Sequence, residues 1–137
     1  MAGATVAAAH LRPLQDEGQS WCIGLAVGWA DGKCVQINCR TSGKWGVRRN
    51  GGEALAGDYR KGKPSTVAIV LGEQTVRLWA KEDDSEEWQV VSEFARTEFP
   101  GTPAAIRSGK IGATWEPRDY GDKGNTSPCR VDWVKQY

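Results

Sequence analysis

The chain has 137 residues and 14.9 kDa, one domain's worth, enough to bury about two-thirds of the surface its unfolded form exposes. Eighteen Lys and Arg stand against seventeen Asp and Glu, so global charge gives no reason to expect nucleic acid or a membrane surface as partner. No stretch approaches the ~20 consecutive apolar residues of a membrane helix, and Met1 to His10 lacks a signal peptide's basic and Leu-rich regions, so the chain reads as soluble.

Seventeen glycines and seven tryptophans beside a single histidine suggest a turn-rich β protein with little scope for His-dependent chemistry. Ala4 to Leu11 reads as a first strand, although its alanine run equally starts a helix that Pro13 would end. Trp21 to Trp29 has period two, with Trp21, Ile23, Leu25, Val27 and Trp29 on one face and Cys22, Gly24, Ala26 and Gly28 on the other. In Lys33 to Arg40 the apolar set is Val35, Ile37 and Cys39, and it must join the apolar face of its neighbour. A three-residue Ala30-Asp31-Gly32 turn does this, setting Leu25 opposite Ile37 and Val27 opposite Val35 with Gly32 at positive φ.

By the same logic a Thr41-Ser42-Gly43 loop places Trp45 opposite Cys39 and Val47 opposite Ile37. A Gly-rich connection over Asn50 to Lys63 precedes a hairpin of Thr66 to Leu71 and Thr75 to Lys81, with Val67, Ile69 and Leu71 facing Val76, Leu78 and Ala80. Trp79 and Arg77 point the other way. An acidic tip, Glu82 to Glu87, leads into a strand over Trp88 to Ala95, and Pro100 and Pro103 break the chain before Lys110 to Trp115. A loop with Pro117, Gly121, Gly124 and Pro128 precedes the last strand, Cys129 to Tyr137. Eight or nine strands with short turns predict one all-β domain over residues 1–137, a β-sandwich of two antiparallel sheets.

The cysteines Cys22, Cys34, Cys39 and Cys129 form no C-x-x-C pair. On one strand Cys34 and Cys39 lie ~17 Å apart, too far for a disulfide, and all four are expected as reduced, mostly buried thiols.

The order W-x-I-G-L-A-V-G-W, D-G, V-Q-I-N-C-R, S-G-K-W, V-A-I-V-L, V-R-L-W-A, S-G-K-I-G and C-R-V-D-W-V-K-Q-Y resembles the concanavalin A-like lectin/glucanase jelly rolls. Within that superfamily it is most similar to the laminin-G-like modules of bacterial carbohydrate-active proteins, without the additional N-terminal strands such domains usually carry. The resemblance implies a non-catalytic carbohydrate-binding or accessory module with a glycan or polysaccharide as partner, placed outside the cell or in a periplasm. A glycoside-active hydrolase or lyase and a structural assembly module are the alternatives.

The polar parity of the first sheet carries Gln36, Asn38, Arg40 and Arg48, whose amide and guanidinium groups suit vicinal sugar hydroxyls. Trp79 is the expected ring platform, and Gly24, Ala26, Gly28 and Gly46 are expected to leave room for the ligand. Glu82, Asp84 and Glu87 spell the E-x-D-x-x-E string of family 16 glycoside hydrolases. They lack the apolar interleaving that would aim three carboxylates from one strand face, so a solvated tip is expected and no catalytic residue is assigned. His10, without a Ser or Cys partner, is expected as an ordinary strand or loop side chain. The resemblance raises calcium as a loop brace, and Asp119, Asp122, Asn125 and Asp132 cluster near the last loop. Their spacing is not an EF-hand; an Asx-type turn is the reading, and no cofactor is expected. Asn125-Thr126-Ser127 has the form of a glycosylation sequon.

Overall fold

The computed structural model describes residues 4–13, 23–40, 43–50, 52–60, 62–110 and 129–137. Within these the chain forms ten strands and one 3-10 turn, Arg96–Glu98. The strands are β1 (Ala4–Pro13), β2 (Ile23–Gly28), β3 (Cys34–Cys39), β4 (Trp45–Arg49), β5 (Gly52–Ala56), β6 (Ser65–Leu71), β7 (Thr75–Glu82), β8 (Gln89–Ala95), β9 (Ala105–Lys110) and β10 (Cys129–Gln136). They build two five-stranded antiparallel sheets, ordered β10-β1-β6-β7-β8 and β5-β4-β3-β2-β9.

Turn chemistry sets the registers. Gly32 adopts φ 89°, the backbone N–H of Trp29 bonds Lys33 O at 2.8 Å, and Leu25 sits opposite Ile37 with Val27 opposite Val35, as the three-residue turn requires. Cys39 pairs with Trp45 and Ile37 with Val47, while Val67, Ile69 and Leu71 face Ala80, Leu78 and Val76.

These parities give each sheet one apolar face. Leu25, Val27, Val35, Ile37 and Trp45 meet Leu11, Val67, Ile69, Val76, Leu78 and Phe99 in one buried cluster. Full burial stabilises by about 1.5–3 kcal/mol for each large aliphatic side chain.

Two expectations are corrected, and one open alternative is decided. The stretch over Asn50 to Lys63 contains strand β5, whose Trp45↔Ala56 to Arg49↔Gly52 register extends the second sheet. The alanine run is strand throughout, because β1 lies between β10 and β6 and its backbone groups are satisfied on both sides. β9 begins at Ala105 rather than Lys110; Ile111 to Trp115, Trp21, Cys22 and the Asp119-to-Asn125 loop with its sequon lie outside the described residues.

Trp29 and Trp45 are core, Trp88 is half-buried and Trp133 lies exposed on edge strand β10. Cys34 and Cys39 are buried and Cys129 half-buried, none in a disulfide among the described residues.

Candidate functional site

Cross-strand pairing places the polar parity of the second sheet on its outer face in two rows. One runs Glu53, Arg48, Gln36, Ala26, Arg107 across β5, β4, β3, β2 and β9. The next runs Leu55, Gly46, Asn38, Gly24, Gly109 across the same strands. Gln36, Asn38, Arg40 and Arg48 therefore do share a surface. Glu53 ties its charged members together: Arg48 Nη2 lies 2.5 Å from Glu53 Oε2, and Arg40 Nη1 lies 3.3 Å from Oε1.

Trp79 does not belong to this face. Its hairpin β6–β7 pairs into the other sheet, so the ring lies on the outside of the opposite layer, against the position of Ala68. No aromatic residue occupies either row, and Leu55, 53% exposed, is the large apolar side chain there.

The small residues do not leave an open trough. A Cβ on Gly46 would overlap Asn38 Oδ1 and come within 3.0 Å of Arg40 Cγ and Cδ, so those side chains occupy the space that glycine vacates. A Cβ on Gly24 would overlap the backbone carbonyl of Ile37, because β2 and β3 approach closely there. Asn38 is 1% exposed, yet neither its Oδ1 nor its Nδ2 has a hydrogen-bond partner. Leaving each such atom shielded and unpaired costs about 1–3 kcal/mol. Parity identifies Asn38 as polar-faced; its burial, shared by Gln36, does not follow from parity.

Two surface clefts are lined mainly by other residues, Glu53 being shared with the second. One, of about 650 Å³, is lined at the end of the sandwich by Leu71, Gly72, Arg96, Pro100 and Gly101; the other, of about 290 Å³, lies between the layers beside Val47, Ala54 and Phe94. Neither includes Gln36, Asn38, Arg40 or Arg48. An unmet hydrogen-bonding requirement specifies a chemistry, whereas an empty volume does not.

The other sheet carries a polar constellation that sequence reasoning missed. His10 is 8% exposed and sits between two carboxylates, its Nδ1 at 2.6 Å from Asp132 Oδ2 and its Nε2 at 2.8 Å from Asp83 Oδ1. Arg12 Nε donates to Asp132 Oδ2 at 2.9 Å and Arg130 Nε to Oδ1 at 2.6 Å. The Arg12 guanidinium, joined by His10 and Arg130, holds the Asp132 carboxyl down to about 2. Asp132, grouped by sequence position with Asp119, Asp122 and Asn125, is thereby engaged by His10, Arg12 and Arg130, while the other three lie outside the described residues.

At the acidic tip, Arg60 bonds both Glu82 and Asp84 and holds the Asp84 carboxyl below its usual range. Two carboxylates of the E-x-D-x-x-E string thus share one guanidinium, and the Glu87 backbone N–H bonds Ser85 Oγ at 3.2 Å within the tip.

The fold is an antiparallel β-sandwich without helical layers among the described residues. No family model matches the sequence, and no curated relative matches it. Among solved structures the chain is similar to the crystal structure of the GH43 protein BlXynB mutant (K247S) from Bacillus licheniformis, with a TM-score of 0.61 and 12% identity. The match covers 97% of this chain and 27% of that chain, so this chain spans about a quarter of the length of the protein it resembles. At that identity the likeness is one of fold.

Proposed function

We propose that the outer face of the second sheet binds carbohydrate, and that the chain is a non-catalytic glycan-binding or accessory module of concanavalin A-like, jelly-roll type. The observation that carries this reading is Asn38: a sheet-centre amide, shielded from water, with donor and acceptor both unmet. A sugar hydroxyl supplies both halves of that requirement. Gln36, Arg40 and Arg48 surround it with further hydrogen-bonding groups, and Leu55 offers an apolar flank. The sandwich likeness to a glycoside hydrolase protein, in which it accounts for 27% of the chain, supports a carbohydrate context.

The test is a glycan array followed by titration of Asn38→Leu against the oligosaccharide that binds the parent. Loss of at least about tenfold in affinity, the scale of one hydrogen bond to a neutral group, supports the face. Unchanged affinity in Asn38→Leu removes it, and turnover of laminarin or alginate would replace the binding reading by an enzymatic one.

A further inference from the structure

We infer that the cleft at the end of the sandwich is a binding site for a small monocarboxylate with an apolar body, held through Arg96. The inference goes beyond the carbohydrate reading and does not depend on it, since Gln36, Asn38, Arg40 and Arg48 do not line this cleft.

Arg96 is the cation among the described residues that line the cleft, and most of its donors are unused. Its Nη2 donates to Gly101 O at 2.9 Å, while Nε and Nη1 are shielded from water and have no hydrogen-bond partner. A guanidinium keeps its charge in proteins, and a charged donor left shielded and unpaired costs more than a neutral one. Other arginines meet this requirement within the fold: Arg48 holds Glu53 and Arg77 holds Glu93. Glu98, in the same 3-10 turn as Arg96, pairs instead with Arg49 at 3.4 Å. Among the described residues no carboxylate pairs with Arg96.

The segment that carries Arg96 is fixed to the core. Its backbone N–H bonds Gln74 O at 2.9 Å, and Gly101 O accepts from Trp29 Nε1 at 3.2 Å as well as from Arg96. Between them the buried Phe99 ring packs 5.1 Å from Trp29 and 6.2 Å from Phe94. The cleft's volume of about 650 Å³ lies in the range of small-molecule sites, and Ala4, Leu71 and Pro100 give it an apolar lining. Glu73, exposed on the same cleft, repels additional negative charge and so favours a monoanionic carboxylate over a phosphate. As the Arg96 side chain turns toward the cleft it lines, a carboxylate supplies acceptors for the donors left over, in charge-assisted bonds, while the ligand's apolar body lies against Leu71 and Pro100.

The test is an NMR titration of the full chain with benzoate, with its neutral isostere benzamide and with inorganic phosphate, following the Arg96 Nε–H resonance, which is identified by its absence from Arg96→Lys. Benzoate is expected to shift that resonance saturably, to bind at least about tenfold more tightly than benzamide, and to bind more tightly than phosphate. Arg96→Lys keeps the charge but loses the planar set of donors, and should weaken benzoate by about tenfold, read from the backbone amides of Gly72 and Gly101. Glu73→Gln, at an exposed position, should tighten benzoate about twofold at low ionic strength and leave benzamide unchanged, which keeps the site testable should Arg96→Lys fold poorly. An unmoved Nε–H resonance, equal affinity for benzoate and benzamide, or benzoate affinity undiminished in Arg96→Lys or unchanged in Glu73→Gln overturns the site. Tighter binding of phosphate than of benzoate overturns the assignment to a carboxylate.

Discussion

His10 and Asp132 stand 122 residues apart in sequence and 2.6 Å apart in space, joining β1 to the edge strand β10. The same carboxylate accepts from Arg12 and Arg130, so three cationic or donating groups converge on one side chain.

That convergence sets an acid response. Asp132 titrates in the fold near 2, below its ordinary 3.8, so it stabilises the native state above about pH 4 and loses that contribution as the pH falls toward 2. Asp132→Asn should therefore be less stable than the parent at neutral pH and should show a shallower loss of stability between about pH 4 and pH 2. Urea unfolding across that range, followed by tryptophan fluorescence, makes the measurement; parallel curves would refute the linkage.

Ile37 lies at the centre of the second sheet, fully buried and opposite both Leu25 and Val47. Ile37→Ala should cost on the order of 2–5 kcal/mol in urea unfolding. A loss below about half a kcal/mol would mean that the inward parity is wrong.

Asn38→Leu should move stability and binding in opposite directions. Exchanging an amide with two shielded, unpaired atoms for an apolar side chain removes a desolvation cost, giving about 1–3 kcal/mol of added stability alongside lost glycan affinity. Destabilisation by a comparable amount would show that the amide is satisfied in solution.

The two glycines beside Asn38 should respond differently. At Gly24 a methyl group meets backbone, the Ile37 carbonyl oxygen, which cannot move without parting β2 from β3. At Gly46 it meets only the tips and stems of Asn38 and Arg40. Gly24→Ala is expected to destabilise by roughly 1–3 kcal/mol, the cost of overpacking, and Gly46→Ala by less while impairing binding. Equal losses in thermal unfolding would contradict this ordering.

Trp79→Ala should leave glycan affinity unchanged, since its hairpin lies in the opposite layer. Isothermal titration beside Asn38→Leu separates the two faces, and a loss in Trp79→Ala alone would transfer the site to the first sheet.

Much of this architecture could be read from residue order. Alternation in β2 and β3 with Gly32 between them determines the pairing of Leu25 with Ile37, because a one-residue slip would turn the apolar set outward. Sheet membership is a different kind of fact. Nothing local to Thr75–Glu82 says which layer Trp79 joins, and β5 hides in a segment whose glycines suggest a loop. The setting of His10 was equally illegible, since its partners Asp83 and Asp132 lie 73 and 122 residues away. Asn38 falls between these cases: its face follows from parity, whereas its burial with both amide atoms unpaired does not.

The insertion of β1 between β6 and β10 bears on how the chain folds. Pairing His10 with Trp133 closes a very long loop, and such non-local pairing places folding in the millisecond-to-second regime of β-sandwiches. Until β10 docks, β1 presents a row of unpaired N–H and C=O groups, the template through which nascent sheets aggregate. That row is built on Ala7, Ala8 and Ala9, residues with low β-propensity and little side chain to offer a passing strand. Among the described strands the edge whose partner lies farthest along the chain is thus built on side chains that offer a passing strand little to hold, in the same alanine run that blurs its secondary structure in the sequence.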